Sequence, residues 1–260
     1  MRSTEPDAAA SRERIGWTLP RPLRPLADFL LASLCHACRE PLAEFFSGGV
    51  CAACWRALPG PPPARCGRCD EPLPAAAVPR CGRCLLDPPA FDSLRAAAPY
   101  RGIARRVLLA LKFRGADELA PHLAARILAR LGPPPDVDLV VAVPSFRRLR
   151  FFGPRRAADL IAGALARQLR LPISRRVLVK IRRTRRQSGL PLARRVENVR
   201  GAFRAHTRVP ARVLLVDDVA TSGATARACA AALKKGGARE VHVWCFARAA
   251  RDGEPPANRE

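Results

Sequence analysis

The stretch "VLLVDDVATSGAT", residues 213–225, decides both the fold and the candidate site of this chain. Its first four residues are branched and apolar, which is typical of a strand that is buried on both faces of a parallel sheet. Asp217 and Asp218 follow, and the small and hydroxyl residues after them lead into a helical pattern over 225–235. Because ligands of parallel α/β sheets bind at the carboxyl ends of the strands, we expect a binding site here.

The chemistry of this turn favours a ligand that carries a phosphate next to hydroxyl groups. Backbone amides and hydroxyls at a helix N-terminus bind phosphate, and Gly223 lets the backbone approach the ligand closely. Two adjacent carboxylates can accept hydrogen bonds from neighbouring hydroxyls, and a 5-phosphorylated ribose carries both kinds of group. The alternative is that the acids cap the helix or bind a metal on an ordinary strand-to-helix turn.

Strand-like and helical segments alternate in the rest of the chain from about residue 95. This alternation predicts an α/β fold in which helices cover both faces of a parallel sheet. Residues 182–201 are basic and polar and are predicted to form a loop. The predicted helices cover 102–113, 118–131, 155–169 and 225–235, and the predicted strands cover 137–144, 175–181, the residues up to Asp218 and 240–247.

Eight of the ten cysteines lie in four Cys-x-x-Cys pairs between residues 35 and 84, separated by 12, 11 and 11 residues. Two such pairs complete a tetrahedral sulfur site, so the spacing predicts two structural zinc ions; redox-active pairs or chance buried residues are the alternatives. Pairing of neighbours closes the shortest loops, although interlaced pairing is also possible. The predicted ligands are Cys35, Cys38, Cys51, Cys54, Cys66, Cys69, Cys81 and Cys84, and the sequence leaves open which pairs share an ion.

The segment around these pairs is rich in Pro and Gly and is not expected to build a core of its own, so zinc would hold it together. Cys229 and Cys245 are predicted to be buried packing residues on a helix and a strand.

Composition favours an anionic partner. The formal net charge is +24, and only four of the 46 basic residues are lysines, which points to a GC-rich coding sequence as one source of the arginine. Nucleic acid and phosphorylated metabolites fit such a surface equally well. The sequence has no apolar run of the length of a membrane span and no apolar signal core at its N-terminus, so we expect a cytoplasmic protein.

Taken together, these motifs resemble the ComF family, competence-associated proteins that join a cysteine module to a phosphoribosyltransferase-like domain. The resemblance includes the cysteine pairs, "LLALKF" (108–113), "VAVPSFRRLRFFG" (141–153), "TRRQSGL" (184–190), "RRVENVRGAF" (194–203) and "VLLVDDVATSGAT", which is similar to the binding motif for phosphoribosyl diphosphate (PRPP). It implies a type I phosphoribosyltransferase fold preceded by a small double zinc ribbon. The implied organisation is a disordered N-terminus (1–25), the zinc ribbon (26–92), the phosphoribosyltransferase-like domain (93–248) and a disordered tail (249–260).

The resemblance also implies the ligand contacts. Asp217 and Asp218 would bind the ribose hydroxyls, Mg²⁺ would accompany PRPP, and a mobile loop containing Gln187, Arg195 and Asn198 would cover the site. The arginines after the 137–144 strand would bind the diphosphate, or else form an ordinary solvated surface. The remaining implied contacts with PRPP are Pro144, Ser145, Arg147, Arg148, Arg150, Ala220, Thr221, Ser222, Gly223, Ala224 and Thr225.

Two departures from the family pattern concern the chemistry. "GPRRA" (153–157) stands where the family has Gly-Phe-Asn-Gln-Ala, and Thr221 stands where related purine enzymes place a carboxylate as general base. Three functions therefore remain open: a phosphoribosyltransferase, a sensor that binds PRPP or a nucleotide without turnover, and a factor that binds single-stranded DNA during natural transformation. The zinc ribbon could also bind a protein partner.

Overall fold

A parallel sheet of five strands forms the centre of the fold. The structure is a computed structural model, and it describes residues 34–42, 48–74, 79–145, 157–184, 192–206 and 208–249. The strands are β1 (Ser93–Pro99), β2 (Leu139–Ala142), β3 (Ile173–Ser174), β4 (Leu178–Lys180), β5 (Phe203–Ala205), β6 (Arg212–Ala220) and β7 (Glu240–Arg248). The central sheet has the order β1-β7-β6-β2-β3 and all its pairings are parallel, as predicted.

Helices pack on both faces of this sheet, which confirms the predicted architecture. The helices are α1 (Ala52–Arg56), α2 (Gly82–Leu86), α3 (Gly102–Phe113), α4 (Leu119–Leu131), α5 (Ala157–Leu169), α6 (Leu192–Val199) and α7 (Ala224–Lys235). The four predicted helices correspond to α3, α4, α5 and α7 within two residues at each end. No helix in the described ranges is long and apolar enough to cross a membrane.

The apolar run of β6 is buried on both sides because successive side chains point to opposite faces. Leu214 and Val216 lie in a core with α3, α4 and α5, whereas Val213 and Leu215 lie in a second core with α7. All four are fully buried. This explains why the run is continuously apolar rather than alternating.

Several elements differ from the sequence-based prediction. The segment 182–201, predicted to be a loop, contains α6. The predicted strand 175–181 shortens to β4, which pairs antiparallel with β5 in a separate two-stranded sheet. Strand β1 was not predicted; its partner β7 lies far away in sequence, so local pattern gave no indication of it.

The cysteine-rich segment contributes residues to both cores of the sheet. Trp55, at the end of α1, is 7% exposed; the Arg126 guanidinium lies 5.1 Å from the centre of its ring, and the His122 ring stacks beside it at 6.4 Å. On the other face, Phe91 packs in the same core as Cys66. The expectation that this segment lacks a core of its own is therefore refined: each cysteine group is part of a core built mainly by the sheet and its helices.

Candidate functional site

A cavity of about 810 Å³ lies at the carboxyl ends of β2 and β6. The predicted position of the two acids was the end of the strand, but β6 continues beyond them to Ala220. The predicted site residues that line this cavity are Pro144, Ser145, Asp217, Asp218, Ala220, Thr221, Gly223 and Thr225. Two others, Ser222 and Ala224, are buried beside the cavity rather than lining it.

The acid pair is held by a cation and by the backbone. Lys112, in the last turn of α3, places its Nζ 2.6 Å from Oδ2 of Asp218. Oδ1 of Asp217 accepts a hydrogen bond from the amide of Asp218 at 2.9 Å, and Oδ1 of Asp218 accepts one from the amide of Val219 at 2.7 Å. These contacts hold both carboxylates in place near the carboxyl end of β6.

Burial and the neighbouring Asp218 carboxylate raise the pKa of Asp217 to about 8. Two acids this close cannot both ionise readily in a partly buried site, and Lys112 only partly offsets the repulsion. A carboxyl pair that shares one negative charge near neutral pH can both accept and donate hydrogen bonds, which suits a pair of sugar hydroxyls.

The turn after β6 forms the start of α7. Gly223 caps the helix with φ +76° and ψ 4°, in the left-handed region that glycine adopts without strain. The Ser222 hydroxyl accepts a hydrogen bond from the amide of Ala224 at 3.3 Å, so it stabilises the turn. Amides at the N-terminus of a 12-residue helix, with the Thr221 and Thr225 side chains beside them, form a suitable cradle for a phosphate.

Sequence reasoning missed several residues of the cavity wall, among them Tyr100, Lys112, Phe113 and Lys180. Phe113 is 73% exposed at the end of α3, and Lys180 places its Nζ 2.6 Å from the Thr184 hydroxyl. The sequence contained one indication of the two lysines: the chain is rich in arginine and has only four lysines, and two of these line the cavity.

The predicted diphosphate and covering loops are only partly described. Arg147, Arg148, Arg150 and Gln187 lie outside the described residues, as does the side chain of Arg195. Asn198 is half-buried on α6, where its carbonyl oxygen accepts a hydrogen bond from Arg182 at 3.0 Å. It does not line the cavity, so the structure does not place it against a ligand.

The eight paired cysteines form two groups, and each group joins neighbouring pairs, the arrangement that closes the shortest loops. Within each group the four sulfur atoms lie within 4.8 Å of one another. The groups consist of Cys35, Cys38, Cys51 and Cys54, and of Cys66, Cys69, Cys81 and Cys84. The interlaced alternative is thereby excluded, and Cys229 and Cys245 are buried elsewhere, as expected.

The two groups repeat one backbone structure. In the first, the Cys35 amide donates to the Glu40 carbonyl at 2.8 Å, and Arg39 has φ +72°. In the second, the Cys66 amide donates to the Glu71 carbonyl at 2.7 Å, and Asp70 has φ +61°. The internal sequence repeat is therefore also a structural repeat.

Backbone amides around each group favour a thiolate. Burial opposes ionisation of Cys35, but amide hydrogen bonds, including that from Cys51 at 3.3 Å, outweigh it and lower its pKa to about 6. The same balance lowers the pKa of Cys66 to about 6. Burial and the neighbouring thiols raise the pKa of Cys54, as expected when several thiols share a small volume without a cation. Each group could hold a metal ion.

Comparison with known proteins agrees with this arrangement. The family model for the phosphoribosyl transferase domain matches residues 146–259. The chain is 32% identical to the DNA utilization protein YhgH of Salmonella typhi over 171 residues, which cover 63% of this chain and 75% of that protein. It is also 32% identical to competence protein F of Haemophilus influenzae over 116 residues, which cover 43% of this chain and 51% of that protein.

A solved structure of glutamine PRPP amidotransferase from B. subtilis overlaps 50% of this chain and 26% of its own, at 25% identity and a TM-score of 0.35. The YhgH relative, the phosphoribosyl transferase match and the parallel sheet with two cysteine groups identify the family. With 75% of the Salmonella protein covered at 32% identity, this chain belongs to the ComF family and has a type I phosphoribosyltransferase fold.

Proposed function

We propose that this protein binds PRPP in the 810 Å³ cavity. The observation that carries the proposal is that the acid pair and the phosphate-binding turn line one cavity of the size usual for ligand pockets, about 300–1,000 Å³. Asp217 and Asp218 would accept hydrogen bonds from the ribose hydroxyls, and the amides at the start of α7 would hold the 5-phosphate. Lys112 and Lys180 would face the diphosphate with positive charge.

Mg²⁺ is proposed to accompany the ligand. It prefers oxygen ligands, and the carboxylates of the cavity and the phosphates of PRPP are oxygen donors. When bound, the ion would neutralise part of the diphosphate charge. The protein would meanwhile orient the ribose through Asp217 and Asp218 and the 5-phosphate through the turn at Gly223.

If PRPP is turned over, the bond between ribose C1 and the diphosphate oxygen breaks, and a bond from C1 to a nucleophile forms. The protein would stabilise the developing charges rather than supply the nucleophile. Thr221 occupies the turn position at which a carboxylate base would act. This favours a second candidate function, in which PRPP or a nucleotide is bound without turnover.

The biological role that we propose is in DNA uptake and in the handling of the resulting nucleotides. The names of two relatives, DNA utilization protein and competence protein F, support this role. Residues 93–248 would form the ligand-binding domain, and residues 26–92 would form the double zinc ribbon.

Each cysteine group is proposed to hold one zinc ion. A tetrahedral Zn²⁺ site with Zn–S distances of about 2.3 Å requires sulfur atoms about 3.8 Å apart. Sγ of Cys38 and Sγ of Cys51 are 3.8 Å apart, and Sγ of Cys69 and Sγ of Cys81 are 3.7 Å apart. The geometry fits the ion, whose role in a site with four cysteine ligands would be structural.

Calorimetric titration with Mg²⁺ and PRPP tests the proposed function. We expect one binding site in the wild type and at least about tenfold weaker binding, or about 1.4 kcal/mol, in Asp217→Asn/Asp218→Asn. The matched control is Asp136→Asn/Asp138→Asn, which removes two carboxylates that bind Arg212 at the other end of β6. Absence of binding heat in the wild type would refute both candidate functions. Release of pyrophosphate when a nucleobase is added would show turnover, and binding without such release would support the second function.

A further inference from the structure

We infer that a second cavity, of about 790 Å³, is a separate phosphate-binding site. It lies between α5 and the β3–β4 segment, and three basic side chains line it: Arg167, Arg175 and Lys180. The inference does not depend on PRPP binding, because the acid pair and the phosphate-binding turn belong to the first cavity.

The two arginines converge on one point of α5. A Cβ atom built on Gly163 would lie 3.6 Å from Nη2 of Arg175 and 3.8 Å from Nη1 of Arg167. Glycine at this position leaves the space between the two guanidinium groups free. A larger side chain here would project into it.

Within the described residues, no carboxylate pairs with either guanidinium group. In the described part of the chain, neither Arg167 nor Arg175 forms a hydrogen bond or an ion pair through its side chain, whereas Arg227 binds Asp87 and Arg248 binds Glu71. Both arginines are exposed, so water screens part of the repulsion between their charges, and an anion between them would reduce it further. A phosphate is the anion that suits a pair of guanidinium groups, since each group donates parallel hydrogen bonds to two oxygens.

The rest of the wall limits where an anion fits. Asp117, Asp159 and His206 also line this cavity, so it is not uniformly basic. A phosphate is favoured at the two guanidinium groups and disfavoured beside the carboxylates. This polarity would orient a ligand that carries phosphate at one end.

The second cavity adjoins the first. Pro144, Ser145 and Lys180 line both, and the Lys180 ammonium lies 5.5 Å from the centre of the Phe203 ring, which lines the first cavity. A phosphate held by Arg167 and Arg175 would therefore be a neighbour of any ligand in the first cavity. Two sources have this chemistry: a free phosphate compound, and a phosphodiester of single-stranded nucleic acid.

The test compares Arg167→Ala/Arg175→Ala with Arg105→Ala/Arg106→Ala. The control pair is exposed on α3 and lines neither cavity, so it removes the same charge from elsewhere. The first arm measures anisotropy of labelled oligothymidylate over a salt series, and the second measures calorimetric binding of inorganic pyrophosphate. We expect the Arg167/Arg175 variant alone to lose about tenfold or more in affinity for one probe.

If the probe is the oligonucleotide, the magnitude of the slope of log K against log salt should fall by about 0.7, since the two guanidinium groups share one phosphate and each neutralised phosphate of a single strand contributes about 0.7. That result assigns the site to a nucleic-acid strand, whereas loss of pyrophosphate binding alone assigns it to a free phosphate compound. Equal losses in both double variants, or none in either, would overturn the inference. PRPP binding should remain in both variants, which separates this test from that of the proposed function.

Gly163 provides a second test at the same point. Gly163→Asp places a carboxylate between the two guanidinium groups and should abolish the phosphate binding, whereas Gly163→Ala adds only a methyl group at ordinary contact distance and should retain it. Thermal denaturation of both variants checks that they fold. Retained binding in a folded Gly163→Asp protein would contradict the site.

Discussion

The ammonium group of Lys112 lies 2.6 Å from a carboxylate oxygen of Asp218, which ties the last turn of α3 to the acid pair on β6. Their side chains are 26% and 16% exposed, so the pair is only partly screened by water. Lys112 thereby brings a cation to two adjacent, partly buried acids in a chain of formal charge +24.

Lys112→Met should weaken PRPP binding by about tenfold, because it removes a cation from a cavity that must receive a polyanion. It should also lower the free energy of unfolding by about 1 kcal/mol. Lys234→Met is the matched control, since Lys234 binds Asp92 at 2.9 Å with similar exposure and lines neither cavity. Urea denaturation should show similar losses in both variants, and calorimetry should show weaker binding only for Lys112→Met.

Asp217→Asn should stabilise the fold by about 1–3 kcal/mol at pH above 8 and by little near pH 4. The folded-state pKa of Asp217, about 8, is raised above its unfolded value near 3.8, so the folded protein holds a proton that the unfolded chain loses. The resulting cost is absent below the unfolded pKa and complete above the folded pKa. Urea denaturation across this range measures the difference.

Asp138→Asn is a control that should change the free energy of unfolding in the opposite direction. Hydrogen bonds from Arg212 lower the pKa of Asp138, so its contribution to stability is present at neutral pH and is lost as the pH falls through its folded-state pKa. This variant should therefore lose stability at neutral pH. A pH-independent effect of Asp217→Asn would show that its carboxyl is not perturbed.

Gly223→Ala should weaken PRPP binding by tenfold or more and destabilise the fold by about 1–2 kcal/mol, because an L-residue is strained at φ +76°. Among the described residues, no atom beyond the chain neighbours lies within 4 Å of the added Cβ, so the cost comes from the backbone conformation. Gly132 also has φ +76° and open surroundings, but lies at the end of α4. Gly132→Ala should lose stability and retain binding.

Metal analysis should find two zinc ions per chain, one in Cys51→Ser and none in Cys51→Ser/Cys81→Ser. Cys229→Ala, which alters a buried cysteine outside both groups, should retain two. Removal of the zinc from the first group should expose Trp55 and shift tryptophan fluorescence to longer wavelength, because its packing on Arg126 depends on that segment. Fewer than one zinc in the wild type would contradict the assignment.

Much of the fold could be predicted because its signals are local. The apolar run of β6, the helical spacing of α3 and α7 and the Cys-x-x-Cys repeat each act over a few residues. Strand β1 was missed because "SLRAAAP" has three alanines, which favour helix, and only its pairing with β7 makes it a strand.

The sequence predicted the site residues that lie close together along the chain. It did not predict the site residues that distant helices and strands bring to the cavity. Asp217 to Thr225 form one motif, whereas Lys112 and Lys180 reach the cavity from α3 and β4. Periodicity showed that 102–113 is a helix, but not which part of it lies against β6. For the same reason the convergence of Arg167 and Arg175 on Gly163 is visible only in the folded chain.

The pairing of β1 with β7 has a consequence for the order of events on the ribosome. All eight paired cysteines and β1 emerge before residue 100, but the partner of this edge strand spans Glu240–Arg248. The cysteine groups can therefore load metal early in synthesis, whereas the sheet closes only after residues 240–248 have been made. Nascent chains that stop before β7 should hold metal yet remain sensitive to protease, which makes metal loading and sheet closure separable steps.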